Sequence, residues 1–207
     1  LGPNGAGKTT TLRMISTMIQ PTRGKIEVCG IDLAKSPNEA RKKIGFLTGS
    51  TGLYERLTPD ELLKYFADLN DVSRSDFEQR KEHYYRLLDM HSFRSKKIGQ
   101  LSTGMKQKVS ITRTMIHNPQ VVVFDEPTSG LDVITAENII TLIKDCKAQE
   151  KTVIFSSHIM TEVDLLCDDL AIITKGRLVY TNSMASFRND MKAETLTGEF
   201  IRIVNQA

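Results

Sequence analysis

Apolar positions along the chain fall into two textures. Val121-Val122-Val123-Phe124, Val153-Ile154-Phe155 and Leu170-Ala171-Ile172-Ile173 are short continuous runs rich in branched and aromatic residues, the pattern of strands buried on both faces. Residues 24–30 alternate between bounding glycines, and Ile44-Gly45-Phe46-Leu47 reads as a further short strand. Residues 59–70 and 75–90 instead set Leu, Phe and Tyr among charges at helical spacing, with no apolar strand between them. Residues 133–149 place Ile139, Ile140, Ile143 and Cys146 on one helical face. That helix lies between two strand-like runs, and the order strand, helix, strand predicts a parallel α/β core. The texture from about 52 to 118 predicts an inserted helical subdomain. From Phe187 onward, polar residues mix with Phe200, Ile201, Ile203 and Val204, a pattern open between an appended helix and a partly ordered tail.

Composition narrows the class. At 207 residues and 40% apolar, the chain can bury one substantial core. Its 28 basic and 25 acidic residues leave a net charge of +3, which gives no reason to expect a nucleic-acid partner. Runs such as Arg41-Lys42-Lys43 read as solvated faces. Cys29, Cys146 and Cys167 are odd in number and widely spaced, which suits core filling in a reducing compartment rather than a disulfide framework or a zinc site. No stretch approaches the roughly 18 to 20 apolar residues that span a bilayer.

The chemistry begins at the second residue. Gly2-Pro3-Asn4-Gly5-Ala6-Gly7-Lys8-Thr9-Thr10 fits the phosphate-binding pattern G-x-x-x-x-G-K-[ST]. Glycines let consecutive backbone N–H groups turn inward around phosphates, Lys8 can reach the terminal phosphates, and the Thr9 hydroxyl can ligate Mg2+. A helix predicted over about 7–19 adds its positive end. Such a loop normally follows a buried strand, and here only Leu1 precedes it, so the expectation is a chain that lacks its amino-terminal strands.

Two further segments gain meaning beside that loop. The run 121–124 leads straight into Asp125-Glu126-Pro127; a strand ending in two carboxylates can hold a metal with one and face an attacking water with the other. Alone it would be a strand followed by an acidic turn. Leu101-Ser102-Thr103-Gly104-Met105 precedes a helix-like segment reaching about residue 117, and its hydroxyls suit a helix amino terminus able to meet an anion. Alone it would be an ordinary cap.

Taken in order, the phosphate loop, Leu101-Ser102-Thr103-Gly104, Asp125-Glu126-Pro127, Ser129-Gly130-Leu131-Asp132 and His158 resemble the motifs of an ATP-binding cassette (ABC) transporter ATPase subunit. The likeness covers essentially the whole chain and is greatest to the NatA-type sodium-export branch. It implies a P-loop NTPase core carrying the helical subdomain as one nucleotide-binding domain over 1–207, with ATP and Mg2+ as cofactors. It also implies two cassettes stacked head to tail with ATP between them, and a separate integral membrane permease reached from the cytoplasmic face. Gly2 to Thr10 would then cradle the phosphates, and Thr9 and Asp125 would hold the metal. Glu126 would polarise the hydrolytic water and His158 would contact the terminal phosphate. Ser102, Thr103 and Gly104 would meet the phosphate held by the other subunit's Lys8, with Asp132 communicating across the interface. His83, His91 and His117 match no motif.

The chain departs from the family pattern at three places. Thr103 stands where a small residue is usual and Met105 where Gln is usual, which adds a hydroxyl and a methyl beside Ser102. The Gln that normally contacts the metal, the water and the permease falls by spacing at Gly49, beside Ser50 and Thr51, so its role has no assigned residue. The aromatic that stacks on adenine would lie before Leu1. Drug, lipid or polysaccharide export stays close behind sodium, and a soluble ABC ATPase that is no transporter is the reading from another class; one motif set and a near-balanced charge speak against an ATPase acting on nucleic acid.

Overall fold

The computed structural model describes residues 1–48 and 52–207; the position expected to replace the missing Gln, Gly49 to Thr51, lies outside the described residues. Helix α1 (Lys8–Ile15) follows the phosphate loop. It stops four residues short of the predicted 19, because Thr17 takes a left-handed backbone at φ 60°. Strands β1 (Glu27–Val28) and β2 (Ile31–Asp32) pair antiparallel. The expected single strand over 24–30 is therefore cut to Glu27–Val28, the first arm of a hairpin that ends at Asp32. Cys29 and Gly30, at φ 51° and 75°, form the two-residue turn whose backbone twist matches paired strands. Helix α2 (Pro37–Lys43) then leads into β3 (Ile44–Thr48).

The helical stretch comes next. It contains α3 (Pro59–Leu69), α4 (Arg74–Leu87), two single 3-10 turns and α5 (Thr103–Met115). Helix α3 begins with a reciprocal cap: Thr58 Oγ1 accepts from the Glu61 amide, Glu61 accepts from the Thr58 amide, and Pro59 occupies the first turn, where its missing N–H costs nothing. Asp60 ties three elements together by accepting from the Tyr85 hydroxyl at 2.8 Å and from Arg94 Nε at 2.9 Å.

Strand β4 (Val121–Asp125), α6 (Val133–Ala148) and β5 (Thr152–Ser156) complete the core. Strands β3, β4 and β5 form a parallel sheet in that order. Side chains alternate across β4. Val122 and Phe124 face the helices with Leu47, Leu62, Tyr85, Ile111 and Ile139, whereas Val121 and Val123 face α1, α2 and the hairpin with Leu12, Val28 and Ala40. A strand buried on both faces has no polar alternation, which is why β4 reads as a continuous apolar run.

The carboxyl-terminal part differs from expectation. After α7 (Met160–Leu166), β6 (Asp169–Thr174) pairs antiparallel with β7 (Arg177–Ser183), forming a separate two-stranded sheet. A short apolar run looks the same in a parallel or an antiparallel pair, so its partner was not readable. Leu1 lies alongside β6, donating its amino group to the Ala171 carbonyl at 2.6 Å and accepting from the Ile173 amide at 2.8 Å. A cavity of about 590 Å³, lined by Leu12, Ile15, Phe155 and Ala171 among others, separates β5 from β6. The open question about the last twenty residues resolves as two helices, α8 (Met184–Asp190) and α9 (Leu196–Gln206). Buried Glu199 secures their linker: its carboxylate accepts from the Lys192 and Ala193 amides at 3.0 and 3.1 Å and pairs with Arg202.

Candidate nucleotide site

The parallel sheet sets the geometry. Its register aligns Thr48, Asp125 and Ser156 across the carboxyl ends of β3, β4 and β5, the edge at which α/β sheets bind ligands. The phosphate loop meets this edge. Gly2 is required by close approach, since a Cβ there would sit 2.2 Å from the Ile173 carbonyl oxygen, and Gly7 opens α1 with φ 107°. Ala6 is buried, while Pro3, Asn4, Gly5 and Thr10 are exposed. Lys8 folds back over the loop, donating from Nζ to the Gly2 carbonyl at 2.7 Å and to the Pro3 carbonyl at 3.2 Å.

Side chains from three elements converge beside Lys8. Thr9 Oγ1 donates to Asp125 Oδ2 at 2.8 Å. Glu126 Oε1 is 3.9 Å from Lys8 Nζ, and its Oε2 is 3.5 Å from His158 Nδ1. Glu126 has a left-handed backbone, φ 49°, which is uncommon for a residue with a Cβ and costs of order 1 kcal/mol. The turn directs its carboxylate away from the strand and toward the other two groups. His158 is exposed. Its loop is held by buried Ser157, which donates to Glu162 Oε2 at 2.8 Å and accepts from the Ile159 amide at 3.0 Å.

A second group forms at the start of α5. Ser102 caps this helix by accepting from the Met105 amide at 3.3 Å, and Ser102 and Thr103 are both exposed. Gly104 packs against α6: a Cβ there would lie 3.0 Å from Thr135 Oγ1 and 3.5 Å from Asp132 Oδ2. Asp132 caps α6 by accepting from the Thr135 amide at 2.9 Å and the Thr135 hydroxyl at 2.8 Å. These bonds favour the carboxylate and pull its pKa down. The structure thus gathers Lys8, Thr9, Asp125, Glu126 and His158 in one cluster, and Ser102, Thr103, Gly104 and Asp132 in another. Gln107 connects α5 to the strand-end loop, donating to the Pro127 carbonyl at 3.1 Å.

Two contributors went unnoticed in the sequence: Gln107, and Ser156, whose hydroxyl touches both Asp125 and Glu126. The available signal was only that Ser156 closes a strand-like run two residues before His158. Among the described residues no group of three or more His, Cys, Asp and Glu side chains is arranged as a metal site. The Thr9 hydroxyl and Asp125 carboxylate are nonetheless adjacent hard oxygen donors, a set that fits Mg2+, which takes its remaining ligands from water and phosphate.

A sequence profile described as "ABC transporter" matches residues 1–129. The chain belongs to the ABC transporter family. It is 41% identical over 202 residues to the ABC transporter ATP-binding protein NatA of Bacillus subtilis, covering 97% of this chain and 82% of that protein. It is 36% identical over 180 residues to the bacitracin transport ATP-binding protein BcrA of Bacillus licheniformis, covering 86% of this chain and 58% of that protein. A solved ATP-binding subunit of an ABC transporter superimposes with a TM-score of 0.90 at 28% identity, over 98% of this chain and 85% of that one. The ATP-binding cassette MJ0796, solved as a dimer in a post-hydrolysis state with ADP and Pi, superimposes with a TM-score of 0.77 at 26% identity, over 88% of this chain and 83% of that one. This ABC subunit is therefore a P-loop ATPase that binds and hydrolyses ATP to power transport. No described helix is long and apolar enough to cross a membrane.

Proposed function

We propose that this ABC subunit sits on the cytoplasmic face of a membrane and drives export through a separate integral permease, working as a homodimer or with a paired ATPase subunit. The observation that carries the chemical part is the placement of the Glu126 carboxylate between Lys8 and His158, beside the phosphate loop. In this reading Gly2 to Thr10 wrap the phosphates and Lys8 exchanges its loop carbonyls for phosphate oxygens. Glu126 polarises water, and His158 contacts the terminal phosphate and stabilises charge developing there. Thr9 and Asp125 would hold Mg2+, which supplies charge neutralisation at the phosphates when bound. Ser102, Thr103 and Gly104 close the site from the second subunit, with Asp132 beside them.

The domain reading is one cassette over 1–207 with a helical subdomain at about 52–118. Sodium is the proposed cargo, on the resemblance of the motif set to the sodium-export branch of the family. Export of an antibiotic is the second reading, favoured by relatives named for bacitracin transport and for linearmycin resistance, the latter 30% identical over 207 residues.

Glu126→Gln tests the chemistry. It should keep ATP binding and lower steady-state turnover by about 10²- to 10⁴-fold, with ATP-bound dimers accumulating. Undiminished hydrolysis would remove Glu126 from its role. Co-expression with the permease separates the cargoes: sodium efflux from loaded vesicles supports the first reading, and antibiotic resistance without sodium efflux supports the second.

A further inference from the structure

Glu126 and Asp125 are adjacent in sequence, yet their carboxylates serve different directions. Asp125 points to Thr9 and Glu126 points to Lys8 and His158. An unbroken strand would carry Glu126 onto the face of Phe124, opposite Asp125; the left-handed backbone at Glu126 ends that alternation and leaves its carboxylate near Lys8, one residue from the Thr9 that meets Asp125. On its carboxyl side the turn is closed by the Ser129 amide, which donates to the Glu126 carbonyl at 3.2 Å; on its amino side it is held by one hydroxyl. The Glu126 amide donates to Ser156 Oγ at 2.9 Å, and Ser156 Oγ donates to Asp125 Oδ1 at 2.7 Å.

The direction of this chain is set by chemistry. An amide can only donate, so the Ser156 oxygen accepts from Glu126 and its proton is left for Asp125, which as a carboxylate can only accept. Asp125 Oδ1 is thereby occupied, and Oδ2 is the oxygen turned toward Thr9. Ser156 is 4% exposed, so water could not readily replace its hydroxyl. It also sits in register with Asp125 on the neighbouring strand, which places its Cβ independently of the bonds it makes.

We propose that Ser156 is a positioning residue of the ATPase site: one hydroxyl holds the left-handed turn that aims Glu126 and the rotamer that offers Asp125 Oδ2 to a divalent cation. This inference rests on the roles given above to Asp125 and Glu126. Ser156 acts through Asp125 and Glu126, the two residues its hydroxyl meets. Loss of a group that orients a metal ligand typically lowers metal affinity or activity 10- to 100-fold.

The decisive pair is Ser156→Thr and Ser156→Val, nearly equal in shape and both suited to a strand, differing in the hydroxyl. Ser156→Thr should stay within about threefold of the native protein in kcat. Ser156→Val should lose about 10- to 100-fold in kcat and bind Mn2+ correspondingly more weakly in the presence of ATP, followed by electron paramagnetic resonance. Binding of a fluorescent ATP analogue in EDTA should stay within twofold for both. Ser156→Ala, checked by thermal melting, serves as a second hydroxyl-free variant should the valine chain fail to fold. A merely structural role would move Thr and Val together. Equal kcat and equal Mn2+ affinity for that pair, with Ser156→Ala matching them, would overturn the proposal. Glu126→Gln run alongside keeps the two ideas apart: normal turnover there refutes the proposed chemistry, while the Mn2+ titrations still decide whether Ser156 holds Asp125.

Discussion

The strand-end cluster and the α5 cluster contrast in how they are held. Around Asp125 and Glu126 each group is bonded to another part of the same site: Thr9 to Asp125, Ser156 to both acids, Lys8 to its loop. Around Ser102 the bonds are local caps, and the chemically useful ends face solvent. Beyond Asp132 lie Val133 and Ile134, 85% and 76% exposed, whereas Phe124, just before Asp125, is fully buried. One region is preorganised by its own chain. The other has the character of a surface made for a partner, which in the proposed dimer is a second cassette.

The strongest break of this contrast comes from disabling one cluster at a time. Lys8→Ala should weaken ATP binding by about 10- to 100-fold, the worth of a charge-assisted contact, whereas Ser102→Arg should leave binding to the monomer within twofold and prevent ATP-driven dimerisation, read by light scattering in the Glu126→Gln background. Each single variant should be inactive, and mixing the two should recover one working composite site per heterodimer. No recovery on mixing, together with normal dimerisation by Ser102→Arg, would mean that the α5 cluster does not serve a nucleotide on another chain.

Stability should divide along the same line. Phe124→Ala removes a large side chain from a fully buried position and should cost about 3–5 kcal/mol in chemical denaturation. Ile134→Ser should change stability by no more than about 0.5 kcal/mol, yet weaken ATP-driven dimerisation. Equal destabilisation by the two would show that Ile134 has a folding role its exposure does not suggest. Gly104→Ala tests the seam between α5 and α6, where the added Cβ would lie 3.0 Å from Thr135 Oγ1. A small loss in melting temperature and a larger loss in turnover are expected.

The smallest effect concerns the linker between the carboxyl-terminal helices, where Glu199 bonds to Lys192, Ala193 and Arg202. The Arg202 guanidinium holds the Glu199 carboxyl at about 2, below its ordinary 4.5. A depressed folded value means that the ionised group stabilises above pH 4.5 and that this contribution is lost as the pH falls through about 2. Glu199→Gln should therefore lower the melting temperature at neutral pH, and its deficit relative to the native chain should shrink with acidification from pH 4.5 toward 2. A deficit independent of pH would mean that shape, not charge, secures the linker between α8 and α9.

What the sequence determined by itself was local. The phosphate loop is legible because its spacing and glycines serve a backbone conformation that few other residues permit. The strands β3, β4 and β5 and the helices α3 to α6 are legible because burial imposes a period on apolar residues, although the caps at Thr58 and Asp132 emerged only with the structure. The order of motifs was enough to reach the ABC family, and with it an ATPase. Tertiary structure decided what depends on partners distant in the chain. It chose an antiparallel mate for β6, since pairing is a relation between strands that an apolar run does not encode. It turned the chain back after Val28 into a hairpin through two positive φ angles and brought Ser156, 31 residues from Asp125, to within hydrogen-bonding distance of it. A serine at a strand end has no distinctive pattern. Its importance arises only when the register of a parallel sheet sets its hydroxyl against one acid and the amide of the next.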